Sequence, residues 1–277
     1  MEARIHDIRA RRWYRAALVR GVLAAGLAVT PLSALAHGPI FSFSPHTEFK
    51  GALEYHLGYQ RSEVGGVASN KYTGEFKYGV NSNWTVGMEL PYESGAYSGV
   101  GDFGLKTKYR FWRRAGPGAL RSLTALGTVY FDTGAAGVGT GSTDYLAALA
   151  YGYESIKWYR WASVGYRINT AGDAGLRRGN RLFLNLVGGW RPGIPVYTMP
   201  DTVFVVGLNA EITDRSRLDG ADLPNTGGTE LFVSPGMIWT YGHFNLRPGV
   251  QIPVYSALNG RQPATDFRFR VELEMHY

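Results

Sequence analysis

The last eleven residues of the chain alternate strictly between apolar and polar side chains. Apolar residues occupy every odd position from Phe267 to Tyr277, and arginine, glutamate or histidine occupies every even position between them. Successive side chains of a β-strand point to opposite faces, whereas a helix would scatter these residues around its axis. The segment therefore predicts a strand with one wholly apolar face and one polar, mostly charged face.

The same alternation recurs along the chain after residue 46, and residues 84–92 and 244–254 show it most clearly. Short alternating segments separated by turn residues are typical of transmembrane β-barrels, whose strands keep apolar side chains toward lipid. We predict twelve antiparallel strands, at 47–60, 70–80, 84–94, 101–113, 121–132, 142–153, 157–168, 180–191, 201–212, 228–240, 243–255 and 265–277.

A soluble β-sandwich also alternates, with its apolar face turned inward. The ends of the apolar faces favour a barrel instead, because they carry aromatic residues of the kind that form interfacial girdles. These residues are Trp84, Tyr92, Trp112, Tyr153, Trp190, Trp239 and Tyr255. We therefore predict an all-β fold, a transmembrane antiparallel up-and-down β-barrel of about twelve strands with both termini periplasmic.

The connections between the predicted strands alternate in length, as periplasmic turns and extracellular loops do. Asn81-Ser82-Asn83 and Tyr241-Gly242 are tight turns. The long loops are predicted near 61–69, 133–141, 170–179, 213–227 and 256–264.

The first 36 residues differ from the rest of the chain. They hold six of the 29 Lys and Arg residues, an apolar stretch from Gly21 to Leu32, and the ending Ala34-Leu35-Ala36. This is the pattern of a secretory signal peptide, and the apolar stretch is shorter than the roughly 20 residues that a spanning helix needs. We predict a signal peptide over residues 1–36 and export to the outer membrane.

Residues 37–46 follow this signal and do not suit a sheet, since they include two prolines and two phenylalanines. They are either a periplasmic N-terminal segment or a small plug inside the barrel, which would then span 47–277. Without the signal the chain is only weakly basic and has no basic run, so nucleic-acid binding is not expected. The absence of cysteine excludes disulfides and thiolate chemistry.

Thirteen residues, Gly99-Val100-Gly101-Asp102-Phe103-Gly104-Leu105-Lys106-Thr107-Lys108-Tyr109-Arg110-Phe111, form a recognisable motif. This motif resembles one found in the outer-membrane barrel family named for the meta-pathway of phenol degradation. That family is loosely grouped with the long-chain fatty-acid transporter barrels. The resemblance implies an outer-membrane channel or transporter for small molecules, including hydrophobic and aromatic ones, and it carries over no binding residues.

The inward positions predicted from alternation carry charges of both signs. They are Lys50, Glu54, Glu75, Lys77, Glu89, Lys106, Lys108, Arg110, Arg247, Arg268, Arg270, Glu272 and Glu274. These charges either form ion pairs that fill a narrow lumen or line a selective pore. The second to fourth strands contribute more Lys and Arg than Glu, which slightly favours an anionic solute.

Four histidines are predicted at the periplasmic end, and they suggest an alternative, metal-linked function. His37 would begin the mature chain, where its amine and imidazole chelate copper together, and His46, His243 and His276 would face inward nearby. Imidazole suits copper and zinc. Interfacial histidines without a metal are the other interpretation, since no ligand-spacing motif supports a site, and no cofactor is expected.

A lipid-modifying barrel enzyme is the third class, and we predict that the chain is not one. It has no Gly-x-Ser-x-Gly and no His-x-Ser, and His56 is the only histidine predicted toward the outer end. The expected partners are outer-membrane lipid, the barrel-assembly machinery that reads a C-terminal strand ending in an aromatic residue, and a small-molecule solute that the sequence does not identify.

Overall fold

The computed structural model describes residues 38–172, 174–193 and 200–277 of the chain. The predicted signal peptide and His37 lie outside the described residues. Within those ranges the structure contains sixteen β-strands and no helix long and apolar enough to cross a membrane. The strands are β1 (Leu53–Val64), β2 (Val67–Asn81), β3 (Trp84–Ser94), β4 (Ser98–Val100), β5 (Gly104–Gly116), β6 (Ala119–Tyr130), β7 (Asp144–Ser155), β8 (Trp158–Ile168), β9 (Leu176–Arg177), β10 (Arg181–Trp190), β11 (Asp201–Thr213), β12 (Arg217–Leu218), β13 (Ala221–Asp222), β14 (Gly228–Tyr241), β15 (Phe244–Leu258) and β16 (Thr265–His276).

Twelve long strands form a closed antiparallel barrel. Each pairs with its neighbours along the chain, and β1 pairs with β16 to close the ring, with Leu57 opposite Leu273. Short β4 extends the pairing of β3, and β9, β12 and β13 form a small separate sheet in the loops. The predicted fold class is confirmed. Because the ladder has no free edge, every wall strand satisfies its backbone hydrogen bonds within the protein.

The outer face of the barrel is apolar. Leu57, Leu186 and Val206 are each more than half exposed, although an aqueous protein would bury them. Trp190 and Tyr255, two of the predicted girdle residues, are also exposed on this face. The wall is therefore built to be solvated by lipid rather than by water.

The first hairpin corrects the predicted boundaries. The loop predicted at 61–69 is wrong, because β1 and β2 continue to a two-residue turn at Gly65 and Gly66. Both glycines have positive φ, 57° and 77°, which tight hairpin turns demand and which glycine adopts without strain. The other end of β1 starts at Leu53 rather than at residue 47. Lys50 therefore lies in an exposed turn before the strand, not at an inward strand position.

Residues before β1 enter the lumen instead of extending the wall. Ile40 is 5% exposed and belongs to an apolar cluster with Trp161 of β8, Val187 of β10 and Val203 of β11. This cluster lies in the periplasmic part of the lumen, since these strand positions are close to the end that holds the termini. The segment thus replaces water inside one side of the barrel.

Candidate functional site

The lumen wall formed by β1, β2, β3 and β5 carries a network of ion pairs. The Lys77 ammonium lies 2.6 Å from a Glu54 oxygen and 3.7 Å from one of Glu75. Lys106 lies 3.0 Å from Glu75 and also contacts Glu89. Five residues predicted to face inward are thus brought together, and each buried charge has at least one partner of opposite sign.

Strands β15 and β16 extend the same network around the barrel. Arg247 lies 2.7 Å from Glu272 and 2.5 Å from Glu274, while Arg270 donates to Gln60 at 2.9 Å. His56 was expected toward the outer end, but it lies within this network, 3.3 Å from Glu75. The correction follows from the late start of β1, which places His56 only four residues into the strand.

Three other predicted lumen residues lie apart from this network. Arg110 is at the periplasmic rim, where it donates to the carbonyl of Ser82 in the β2–β3 turn. Arg268 faces the extracellular side and binds Glu211 of β11 at 2.5 Å. Lys108 has no ion-pair partner in the part of the chain that the structure describes, although it lines an interior cavity.

The histidines predicted as a metal set do not come together among the described residues. His46 lies 2.8 Å from Glu154 of β7, whereas His243 is exposed and stacks on the ring of Tyr277. His276 is inward and buried, with Nδ1 3.4 Å from Glu54. Glu48 is the third member of the group around His276, at 3.7 Å, and Lys77 supplies that group with positive charge.

A row of hydrogen-bonded side chains crosses the opposite wall, at mid-height on β8, β10, β11 and β14. Ser234 donates to Asn209 at 2.6 Å, Asn209 to Asn185 at 2.8 Å, and Asn185 to Ser163 at 3.1 Å. Ser163 is 3.1 Å from the hydroxyl of Ser42 in the N-terminal segment. The pattern of the sequence does not indicate this row, because single small polar residues on neighbouring strands carry no distinctive signal.

Residues 38–48 occupy the lumen between these two walls. Phe41 to Phe43 contact mid-height positions of the wall, and the segment returns to the periplasmic rim, where the amide of Glu48 donates to Thr85. Wall side chains donate to four carbonyl oxygens of the segment. The donors and acceptors are Arg247 to Gly38 at 2.9 Å, Arg270 to Ile40 at 2.9 Å, Asn209 to Phe41 at 2.9 Å and Thr124 to Pro45 at 2.5 Å.

Two cavities lie in the interior formed by the described residues. An outer vestibule of about 520 Å³ opens on the loop side and is lined by Arg167, Arg181, Glu211 and Arg268 among others. An inner chamber of about 210 Å³ lies between the N-terminal segment and the charged wall. Tyr130 lines both cavities, so it stands at the level where they meet. The arrangement resembles a passage that narrows inward and ends at the N-terminal segment.

No protein-family model and no curated protein matches the sequence. Among solved structures, the chain is similar to an outer membrane channel from Pseudomonas putida F1, with 16% identity over 86% of this chain and 100% of that one, and a TM-score of 0.65. It is also similar to the NanC porin, with 10% identity over 80% of this chain and 98% of that one, and a TM-score of 0.53. At these identities the likeness is one of fold, and by that fold the chain is a closed, twelve-stranded antiparallel β-barrel.

Proposed function

We propose that the protein is an outer-membrane channel for small molecules, and that residues 38–48 close its periplasmic side. The observation that carries this proposal is the set of four wall side chains that donate to carbonyls of the segment. The donors belong to the barrel wall and the acceptors to residues 38–45. The segment is therefore bound inside the lumen and is not part of the wall.

The lining of the lumen supports passage of polar or charged solutes rather than a purely structural role. The outer vestibule holds about 520 Å³, which is within the range of small-molecule sites, roughly 300–1,000 Å³. Its charged lining suits hydrated solutes, because rings of charged side chains favour ions over apolar molecules. The two solved structures with the same fold, a channel and a porin, are consistent with this role.

The test is the single-channel conductance of the refolded barrel in a planar bilayer, with and without residues 37–46. We expect small or intermittent conductance from the longer form and larger, steadier conductance after trimming, because the seat of the segment then fills with water. A milder variant, Asn209→Leu, removes one donor to the segment and should lie between the two forms.

The control is a comparable loss of hydrogen bonding outside the segment, such as Ser155→Ala, which removes a bond to the carbonyl of Trp158 in the β7–β8 turn. A trimmed barrel that is folded, as shown by resistance to unfolding in detergent, yet carries no current would contradict the proposed channel. Equal conductance in both forms would contradict closure by the segment while leaving a pore in place.

A further inference from the structure

Four arginines line the outer vestibule, and three of them lie on wall strands of the barrel. Arg167 is on β8, Arg181 on β10 and Arg268 on β16. Each guanidinium lies over an aromatic ring: Arg167 over Tyr130 at 4.5 Å, Arg181 over Phe183 at 5.8 Å and Arg268 over Phe232 at 4.7 Å. Stacking of this kind restricts each planar group to one orientation.

Two of these arginines face each other directly. In the β8–β10 register Arg181 is opposite Arg167, and both side chains point inward. Like charges directly opposite on neighbouring strands repel and destabilise the pair. The pair is therefore more stable when an anion lies beside it.

The carboxylates nearby compensate the three arginines unequally. Asp144, which is fully buried, binds Arg167 at 2.9 Å. Glu211 accepts two bonds from Arg268, at 2.5 and 3.2 Å, but lies 3.5 Å from Arg181. Within the described residues Arg181 has no other carboxylate contact, and its side chain is 42% exposed to the vestibule.

The other vestibule carboxylates also have partners: Glu89 contacts Lys106, Glu93 lies 3.3 Å from Lys71, and two more accept bonds from neutral donors. Glu230 accepts from the amide and the hydroxyl of Thr265, at 2.9 and 3.1 Å. Both oxygens of Asp102 accept bonds from the loop, from Gly134 and Thr140. Arg181 donates one long hydrogen bond, to Glu211, and its other guanidinium N–H groups have no carboxylate acceptor among the described residues. The vestibule carboxylates accept bonds from other residues, so a bound anion would supply the missing acceptor.

We propose that the vestibule binds small organic carboxylates, with Arg181 as the anchoring residue. A carboxylate matches the planar fork of a guanidinium and accepts two parallel bonds from it. The apolar residues Val138 and Leu258, which also line the cavity, would contact the body of the solute. This inference deepens the proposed channel function by naming the class of solute that enters.

The experiment measures binding of benzoate to the refolded full-length barrel by calorimetry, with benzamide as a neutral ligand of the same shape. We expect benzoate to bind and benzamide to bind at least tenfold more weakly. Arg181→Gln should weaken benzoate binding tenfold or more, and Arg181→Lys, which keeps the charge but loses the fork, should lie between. Higher salt should weaken binding, because the attraction is partly screened.

The matched control is Arg215→Gln, which removes an exposed arginine from the same end of the barrel without touching the vestibule lining. It should change benzoate binding less than twofold. Equal affinity of the unmodified barrel and Arg181→Gln, equal binding of benzamide, or no benzoate binding at all would each overturn the inference.

Binding at equilibrium does not require conduction, so this test and the conductance test fail separately. A trimmed barrel that carries no current but binds benzoate through Arg181 would overturn the channel and leave the carboxylate site standing. A conducting barrel that ignores benzoate would overturn the carboxylate site alone.

Discussion

At the scale of single residues, this protein reverses the usual distribution of polar and apolar side chains. Thr124, Asp144 and Asn245 are fully buried, while large aliphatic residues are exposed. Lipid solvates the outer face, and the interior tolerates polar groups because almost all of them have partners. The polar row from Ser234 to Ser42 is an example, since each side chain donates to or accepts from the next.

One glycine in the wall makes room for the N-terminal segment. A Cβ at Gly165 would lie 2.3 Å from the ring of Phe43, so no larger residue fits while the segment is seated. We predict that Gly165→Ala displaces Phe43 and raises the mean single-channel conductance several-fold. Gly188→Ala is the matched control, because it adds the same methyl group to neighbouring β10 where nothing lies within 4 Å. Equal conductance of the two variants would show that the seat of Phe43 does not hold the channel closed.

At the scale of elements, the N-terminal segment is held by more than its hydrogen bonds. Each such bond contributes about 1 kcal/mol net, whereas ordering each residue costs about 1–2 kcal/mol of backbone entropy. Burial of Ile40, and of the Phe43 ring against Phe183 at 5.8 Å, must therefore supply the remaining stabilisation. The favourable hydrogen bonds and burial are thus similar in size to the unfavourable loss of backbone entropy. A segment with such a small net binding free energy is suited to leaving and re-entering the lumen.

The loop over residues 131–143 is fixed by one carboxylate from the Gly-x-Gly-Asp motif. Asp102 accepts bonds from the amide of Gly134 at 2.9 Å and from the amide and hydroxyl of Thr140 at 2.7 and 2.8 Å. Hydrogen bonds to a charged acceptor contribute about 1.5–3 kcal/mol each. The motif thus has a structural role at the vestibule, which its sequence alone did not indicate.

We predict that Asp102→Ala frees this loop while the barrel stays folded. Limited proteolysis of the embedded barrel should then cleave within 131–143 at least tenfold faster. Asp132→Ala, in the same loop and exposed, is the control and should leave the cleavage rate unchanged. Equal cleavage rates for the two variants would mean that other contacts hold the loop.

Alternation predicted the strands well because one face of each strand meets lipid along its whole length. It failed where that constraint ends: residues 47–52 alternate but leave the wall, and residues 61–69 continue the first hairpin. Alternation also placed most charges inward, but it could not pair them. The contact of Arg268 with Glu211 spans β16 and β11, and His46 meets Glu154 only because the segment before β1 turns into the lumen. Those contacts join residues that are far apart in the sequence, and the alternation within a single strand cannot predict them.

At the scale of the whole molecule, the outer apolar face and the divided interior stabilise the barrel in different ways. The interior combines an ion-pair network on one wall with an apolar cluster and a polar row on the other. Neither wall could be exposed to lipid without leaving buried polar groups unpaired. The closed ring of twelve strands is therefore what makes this interior possible.

The lipid contact can be tested with one outward residue near the middle of β10. We predict that Leu186→Lys lowers the unfolding free energy in a bilayer by about 2–4 kcal/mol, because a charge at the bilayer midplane is costly. Val67→Lys, at the exposed end of the first hairpin and 67% exposed, should change it by less than about 1 kcal/mol. Equilibrium unfolding by urea in lipid vesicles gives both values. A similar cost at both sites would contradict the assignment of the bilayer to the middle of the strands.

The N-terminal segment is joined to β1 by only a few residues, Phe49 to Ala52, which include Gly51 at a φ of 80°. In the proposed closed state it therefore acts as a tethered ligand, whose effective concentration at its own seat is set by the length and stiffness of that linker. Closure is then intramolecular and does not depend on how densely the barrel populates the membrane. Under the proposed closure, a solute that competes for the seat must match that effective concentration, so the tether, rather than any single contact, would set the threshold for opening.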